Sequence, residues 1–416
     1  MSGALNKEPS KPELLAPAGD FEKLQMAIAY GANAVYVGGK QFSLRANAKN
    51  FDLPELRQAT NYAHSKGAKV YVSVNIFAHN RDFVGLHEYL TALHEMNVDA
   101  VIVADIGVFN VARQIKGLEI HISTQANVTN YQSAQLYKEL GASRVILARE
   151  LSFAEIHEVG SKANIETEVF VHGAMCMSYS GRCLLSNYMA NRDANKGDCA
   201  QPCRWKYHLM EEKRPGEYLP IYEDERGTYI MNSKDLCMIE HIPELVASGV
   251  ASLKIEGRMK TAYYVAMVTR MYRQAIDDYF QSESLYVSNK QVYANELAKT
   301  SNREFFTGFY TGKPACGQNQ TGEVYNNTQE FVGVVLDYNA TTNMALVEQR
   351  NKFSVGDRVE FVKGGFQQAI TEMYDTKGIS MQSAPHPQQM LLLKTDKPVA
   401  PLDIIRANNI QNYQGS

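Results

Sequence analysis

The most constraining feature of this sequence is a repeated phrase in which a glycine and one or two small or polar residues precede a short apolar run. It occurs four times, as GANAVYV, GAKVYVSV, GASRVIL and GVASLKI. Each copy follows a segment whose apolar residues have helical spacing, so the glycine predicts the end of a helix and the run predicts a strand. Strands that are apolar on both faces and alternate with helices are typical of a parallel sheet.

Eight such apolar runs are predicted as strands. They are Glu13–Ala16, Ala34–Val37, Lys69–Val74, Ala100–Ala104, Glu119–Ser123, Arg144–Ala148, Thr167–Val171 and Ser252–Ile255. Helical spacing predicts helices between and after them. These are Phe21–Tyr30, Leu53–Lys66, Phe83–Glu95, Gln132–Leu140, Phe153–Lys162 and Ala262–Phe280. Eight alternating units are the number that closes a (β/α)8, TIM-like barrel, which is the α/β fold predicted here.

The repeat is interrupted once, and its pattern changes near the C-terminus. Roughly 80 residues separate the seventh and eighth strands, far more than an ordinary connection. From residue 331 the apolar residues alternate with period two, which predicts a small antiparallel β-barrel domain. The predicted organisation is an N-terminal tail at 1–12, a barrel at 13–300 with an insertion at 174–250, a linker at 301–330 and a β-domain at 331–416.

Charge and hydropathy narrow the class of protein. The net charge of -3 gives no support for binding nucleic acid through overall charge, although a local basic patch stays open. No stretch approaches the roughly 20 apolar residues of a membrane span, and the N-terminal residues contain no apolar leader. We therefore expect a cytoplasmic protein with no membrane partner. In that reducing compartment, clustered cysteines are more often ligands or catalysts than disulfides.

In a parallel barrel, the residues that follow the strands meet at one mouth, where barrel enzymes place their active sites. The candidate catalytic residues at this mouth are Arg45, Asn75, Gln125, Arg149, Glu150, His172, Glu256 and Arg258. The cations and amides suit a substrate that carries carboxylates or phosphates. The alternative is that polar residues lie there because the mouth is solvated, and that the arginines pair with Glu150, Glu256 or Asp105.

Three residues have alternative interpretations. His172 is a candidate general base or metal ligand, or a hydrogen-bonded structural residue. Lys254, inside the eighth strand, must pair with a carboxylate such as Glu256 if it points into the barrel, or else have a strongly shifted pKa. Asp20 is a candidate active-site acid or the N-cap of the first helix.

The insertion contains an unusual density of thiols. Cys176, Cys183, Cys199 and Cys203 lie within 28 residues, and Cys237 follows further on. Thiolates are soft ligands for zinc or for iron–sulfur iron. Structural zinc sites show two close pairs, whereas only one pair here is close, so the irregular spacing favours a [4Fe–4S] cluster, with zinc as the alternative metal. Five candidates for four positions leave one spare, and buried thiols or a Cys–His nucleophile are the remaining alternatives.

Several motifs together resemble peptidase family U32, first described as collagenase-like. They are ELLAPAG, GANAVYVGG, STQANVTN, ARELS, FVHGAMCMSYSGRCLLSNY, NSKDL and LKIEGRMK. The resemblance covers residues 12–280 and continues more loosely beyond. No Ser/His/Asp set, HExxH motif or paired Asp motif that would explain peptide hydrolysis is present.

What the resemblance implies is specific. Related members are linked to oxygen-independent hydroxylation of tRNA, ribosomal RNA or the ubiquinone ring. Resemblance to these members implies a [4Fe–4S] cluster, whose ligands would be Cys176, Cys183, Cys199 and Cys237, with Cys203 in reserve. The chain is most similar to the branch that converts the wobble uridine of tRNA to 5-hydroxyuridine, for which prephenate, a small dicarboxylate, is the implied hydroxyl source.

Three interpretations stay open on the sequence. The first is the tRNA-hydroxylating enzyme, with the β-domain as an RNA-docking module or a packing domain. The second is a metal-dependent peptidase, and the third is a non-catalytic RNA-binding protein with a structural metal. A homo-oligomer or a related partner subunit that completes the site is also open.

Overall fold

The fold was established from a computed structural model of the full chain. It describes residues 10–43, 49–175, 235–300, 305–312 and 329–408, with residues 186, 190, 192, 200, 223–224 and 227–228. The chain divides into two compact units, one of residues 1–294 with 303–323 and one of residues 295–302 with 324–416.

The first unit is built on eight parallel strands that close into a barrel. Its barrel strands are β1 (Glu13–Pro17), β2 (Ala34–Gly38), β3 (Lys69–Val74), β4 (Ala100–Val103), β5 (Ile120–Ile122), β6 (Arg144–Ile146), β7 (Glu166–Ala174) and β11 (Ser252–Ile255). Each strand pairs with the next, and β11 pairs in parallel with both β1 and β7, which closes the sheet. All eight predicted strands are therefore confirmed, within a few residues at their ends.

A helix follows each barrel strand. The helices are α1 (Phe21–Ala29), α2 (Leu53–Ser65), α3 (Leu86–Glu95), α4 (Ile106–Ala112), α5 (Tyr131–Glu139), α6 (Phe153–Ala163), α7 (Ile242–Ala247) and α8 (Ala262–Gln281). A ninth helix, α9 (Glu283–Ala298), comes after α8. The four glycines of the repeated phrase have positive φ, from 73° at Gly67 to 108° at Gly141. Glycine adopts this conformation without strain, so each one ends a helix as predicted.

Side-chain caps fix where many of these helices begin. Asp20 accepts a hydrogen bond from the Lys23 amide at 3.0 Å, and Asp105 accepts from the Gly107 amide at 2.8 Å. Both aspartates therefore act as N-caps. For Asp20 this supports the capping interpretation made from the sequence.

Short strands extend the barrel sheet beyond β7. The strand β10 (Asp235–Cys237) pairs antiparallel with the end of β7, and β12 (Phe305–Phe306) pairs with β10. Within the insertion, β8 (Glu223–Asp224) and β9 (Gly227–Thr228) form a two-stranded antiparallel pair. Cys237 is the last residue of β10.

The second unit contains an antiparallel sheet around its own apolar core. Seven strands lie in the order β17 (Phe366–Ala369), β16 (Arg358–Phe361), β21 (Ile404–Asn408), β13 (Gln329–Asn339), β14 (Met344–Gln349), β20 (Met390–Lys394) and β18 (Met373–Asp375). The strands β15 (Phe353–Ser354) and β19 (Ser383–Ala384) form a separate pair. The core includes Val335, Val347, Phe361, Leu393 and Ile405. The antiparallel β-domain predicted from the period-two pattern is thus present, as a half-barrel sheet.

Candidate functional site at the barrel mouth

Charged side chains occupy the inside of the barrel, where apolar residues usually pack. We call Glu13, Arg144, Glu168 and Lys254 the buried ionic network. Arg144 Nη1 lies 2.6 Å from Glu13 Oε1 and 3.2 Å from Glu168 Oε2, and Lys254 Nζ lies 2.8 Å from Glu168 Oε1. The Tyr71 hydroxyl donates to Glu13 Oε2 at 2.7 Å. Buried charges are tolerated only when they are paired in this way.

Lys254 does not pair with Glu256, the carboxylate suggested from the sequence, but with Glu168. The Glu168 side chain is fully buried. Burial alone raises the pKa of its carboxyl group, but the positive charges of Lys254 and Arg144 outweigh that effect and hold the pKa below its ordinary value. Glu168 is therefore an ionised acid in the folded protein.

Arg149 follows β6 and connects several parts of the mouth. Its Nη1 donates to the Ala174 carbonyl at 2.6 Å, and its Nη2 lies 3.0 Å from Glu256 Oε2. The guanidinium lies 3.8 Å from the centre of the Phe170 ring. Its side chain is 10 % exposed, and Nε has no acceptor among the described residues. The pairing with Glu256 agrees with the alternative that the arginines at the mouth pair with carboxylates. The Nε–H group of Arg149 can still donate a hydrogen bond to a molecule bound at the mouth.

Arg258 is buried beside the end of β2. Its Nη1 donates to Ser43 Oγ at 3.1 Å. A Cβ atom at position 38 would lie 1.8 Å from Nη1 of Arg258, so only glycine leaves room for this guanidinium. Arg149 and Arg258 thus both belong to the mouth, while Arg45, the third predicted arginine, lies outside the described residues.

His172 lies inside an aromatic cluster and not in open solvent. Its ring centre is 5.3 Å from that of Phe305, 5.6 Å from that of Tyr272 and 5.9 Å from that of Tyr264. Burial, together with the charge of Lys260, lowers its pKa to about 3. His172 is therefore a neutral, packed residue, a placement that agrees with the structural alternative for this position.

The remaining predicted residues also lie at strand ends. Asn75 directly follows β3, and Glu150 follows Arg149; both are partly buried. Gln125 lies in a short 3-10 turn, where its amide donates to Ser123 Oγ at 3.2 Å. The topology therefore brings Asn75, Gln125 and Glu150 to the mouth.

Cys237 is the one predicted metal ligand that the structure describes. It lies opposite His172 in the β7–β10 pairing, close to the point where the cysteine-rich run leaves β7. Its Sγ is 3.9 Å from the Tyr272 hydroxyl, and burial raises the pKa of its thiol to about 12. A metal would have to displace the thiol proton, since the thiolate is the ligand. A soft donor at this mouth fits an iron–sulfur or zinc site.

The other predicted metal ligands lie outside the described residues. They are Cys176, Cys183, Cys199 and the reserve Cys203. The sixth cysteine of the chain, Cys316, also lies outside the described residues. Within the part of the chain that the structure describes, no group of three or more His, Cys, Asp or Glu side chains could hold a metal ion. The cysteine assignment therefore stays a prediction.

Tyr272 is a residue of the site that the sequence analysis did not select. Its buried hydroxyl donates to the Val171 carbonyl at 2.7 Å and accepts from the Met238 amide at 2.9 Å. These bonds join β7 to the residue after Cys237. A tyrosine on an amphipathic helix is usually part of the core, so nothing in the sequence distinguished Tyr272 from its neighbours. The sequence analysis also did not select Glu13, Arg144 and Glu168 as site residues, although each is a charged residue inside an otherwise apolar strand.

A closed parallel barrel with a cationic, partly buried mouth and a thiol at its edge defines this protein as a barrel of the enzyme type. Residues 19–320 match the family model for peptidase family U32, and residues 327–406 match the model for the C-terminal domain of that family. The chain belongs to peptidase family U32.

Three curated relatives illustrate the relationship. The chain is 44% identical over 401 residues to tRNA hydroxylation protein P1 of Bacillus subtilis, covering 95% of this chain and 94% of that protein. It is 38% identical to tRNA hydroxylation protein P of Escherichia coli, covering 90% and 92%. It is also 41% identical to an uncharacterized protease, MJ0090, of Methanocaldococcus jannaschii, covering 83% of this chain and 86% of that protein.

Among the described residues, every helix is too short or too polar to span a membrane.

Proposed function

We propose that this protein hydroxylates tRNA, converting the wobble uridine to 5-hydroxyuridine without molecular oxygen. The observation that carries the proposal is the 44% identity, over 95% of the chain, to a protein named for tRNA hydroxylation. A second relative with a name of the same kind spans 90% of the chain. Similarity across both units makes a shared reaction a better inference than a shared fold alone would.

The mouth residues support a small carboxylic acid as the hydroxyl donor. Arg149 has an Nε–H group with no acceptor among the described residues, and Arg258 also lies at the mouth. Guanidinium groups bind carboxylates through charge-assisted hydrogen bonds, which are stronger where water is excluded. Prephenate, a dicarboxylate, is the donor we propose.

Cys237, together with Cys176, Cys183 and Cys199, would hold a [4Fe–4S] cluster at the edge of this mouth, with Cys203 in reserve. Such a cluster would supply electron-transfer or Lewis-acid chemistry to the bound donor. The chain's own contribution is to fix the thiol: the β7–β10 pairing and Tyr272 hold the residues around Cys237 in place. Zinc at the same thiols is the alternative.

The direct test is nucleoside mass spectrometry of total tRNA from cells with and without the gene. We expect 5-hydroxyuridine and nucleosides derived from it to disappear without the gene and to return with the wild-type gene. Unchanged 5-hydroxyuridine in cells that lack the gene and any second copy would rule the proposal out. Iron and sulfide analysis of anaerobically purified protein tests the cluster separately, since a preparation without iron contradicts it.

Peptide hydrolysis is the second candidate, because the family is described as a peptidase family and one relative is called a protease. It requires a group that activates water. Among the described mouth residues, His172 is enclosed by aromatic rings and Glu256 is paired with Arg149, so neither is arranged for that role. Hydrolysis of denatured collagen by pure wild-type protein that persists in a Cys176→Ala variant would favour this candidate, and no hydrolysis by a clean preparation would remove it.

A further inference from the structure

We propose that Lys254 is a substrate-binding residue whose ammonium group binds an oxygen of the small acid at the floor of the mouth, beside Arg149. The inference rests on the proposed function, because the acid is taken to be the hydroxyl donor. It adds an ammonium group to the guanidinium groups of Arg149 and Arg258 as a contact for that acid.

The first step is the number of donors that Lys254 has in use. Its side chain is 5 % exposed, and an ammonium group has three N–H donors. In the described structure, the hydrogen-bond acceptor of these donors is Glu168, at 2.8 Å. The ammonium group otherwise faces aromatic rings, with Nζ 4.5 Å from the centre of Tyr36 and 5.4 Å from that of Phe170. Cation–π contacts partly compensate a buried ammonium, but they leave its N–H groups able to bind an oxygen atom.

The second step is its position in the barrel. Glu13 pairs with Ser252 and Leu15 pairs with Lys254, so Lys254 is two residues nearer the mouth than Glu13. At about 3.3 Å per residue, this separates the two levels by roughly 7 Å. Glu168 also pairs with Ser252, at the level of Glu13, and Arg144 pairs with Glu166, two residues further from the mouth. Lys254 is thus the member of the buried ionic network nearest the mouth.

The third step is the shared aromatic ring. Phe170 has the Arg149 guanidinium 3.8 Å from its centre and the Lys254 ammonium 5.4 Å from it. Both cations are at least nine-tenths buried, and Arg149 also has an Nε without an acceptor among the described residues. Two cations around one ring suit an acid with two oxygen-bearing groups, such as a dicarboxylate or an oxo acid.

A structural role for Lys254 is the competing explanation, and a paired substitution separates the two. Lys254→Met combined with Glu168→Gln removes both charges of the pair, so no uncompensated charge is left buried. If Lys254 only neutralises Glu168, this double variant should bind the acid as the wild type does.

The experiment is calorimetric titration of the full chain, purified anaerobically, with prephenate as the probe. We expect the dissociation constant of the double variant to rise about 10- to 100-fold, as for a lost charge-assisted hydrogen bond. Lys162→Met, which removes an exposed cation on α6, is the control and should leave binding unchanged. A folded double variant that binds within twofold of the wild type overturns the proposal, as does a wild-type protein that binds no prephenate.

Glu168→Gln alone gives an independent test with the opposite sign. Removing the carboxylate that competes for the ammonium group should tighten prephenate binding severalfold, and unchanged or weaker binding contradicts the proposal. The 5-hydroxyuridine level in cells reports on the proposed function separately. If the wild-type gene and the double variant both restore this nucleoside, the inference about Lys254 fails while the proposed function stands.

Discussion

Two buried tyrosines bond to the backbone near Cys237 in the same manner. Each hydroxyl donates a hydrogen bond to one carbonyl and accepts one from one amide. Tyr272 bonds the Val171 carbonyl and the Met238 amide, and its hydroxyl is 3.9 Å from Cys237 Sγ. Tyr286 donates to the Ile239 carbonyl at 2.9 Å and accepts from the Ile242 amide. They form a matched pair for testing the cluster proposal at the level of one residue.

We expect Tyr272→Phe and Tyr286→Phe each to lower the free energy of unfolding by about 1–2 kcal/mol, because each removes two buried hydrogen bonds to the backbone. Only Tyr272→Phe should reduce the iron and sulfide bound per chain, since it loosens the backbone around Cys237. Iron and sulfide analysis with urea unfolding measures both effects. Equal iron loss in the two variants would mean that Tyr272 has a general structural role.

Arg149 is the second residue whose role can be isolated. Arg149→Met removes the bonds to Ala174 and Glu256 and the contact with Phe170. In cells that lack the gene, we expect the Arg149→Met gene to restore about 100-fold less 5-hydroxyuridine than the wild-type gene does. This is the scale of one lost charge-assisted interaction. Arg113→Met, at the exposed position that directly follows α4, is the control. If the Arg149→Met gene restores 5-hydroxyuridine fully, this arginine is not part of the functional site.

At the scale of elements, the strands of the barrel are joined by charges as well as by backbone hydrogen bonds. Glu13 on β1, Arg144 on β6, Glu168 on β7 and Lys254 on β11 connect four strands. Removing one partner of a buried pair typically costs about 3–5 kcal/mol, more than the pair adds over an apolar replacement. This network therefore makes barrel stability depend on protonation.

The direction of that dependence follows from Glu168. Its folded-state pKa is held below the ordinary value of about 4.5, so its contribution to stability is complete above that pH and is lost as the pH falls through the folded-state pKa. We expect the urea midpoint of the wild type to fall in acid more steeply than that of the variant with Lys254→Met and Glu168→Gln. Parallel pH curves for the two proteins would show that Glu168 does not carry this dependence.

At the scale of the whole molecule, the second unit has its own buried charge. Arg406 on β21 is 2 % exposed; its Nη2 lies 2.9 Å from Glu360 Oε1 and its Nη1 lies 2.7 Å from Glu296 Oε2. Glu296 is in the part of α9 that belongs to this unit. The helix end is therefore tied to the sheet of the second unit by an ion pair.

We expect Arg406→Met to destabilise the second unit by about 2–4 kcal/mol, because it removes the cation that pairs with the largely buried Glu360 carboxylate and one of the two that pair with Glu296. Calorimetry should show the transition of the second unit at lower temperature and an unchanged barrel transition. Arg358→Met, at an exposed position of β16, is the control. An equal shift of both transitions would contradict the assignment of this ion pair to one unit.

Some helices escaped prediction for identifiable reasons. The helix α4 has only 7 residues, too few for helical spacing to be distinguished from a strand end. The helix α9 has its apolar residues spread around its circumference, so no periodic stripe marks it. The glycine-terminated repeats have both a stop and a following strand, and these were predicted closely.

The sequence by itself determined the barrel, because strand periodicity, glycine positions and helix caps are local properties. It also selected the residues that follow each strand, since parallel strands direct their ends to one mouth. Only the tertiary structure decided which charges meet: Lys254 pairs with Glu168, 86 positions away, and Arg149 with Glu256, 107 positions away. Such pairings depend on strand register and burial across the closed barrel, and neither is a property of a local stretch of sequence.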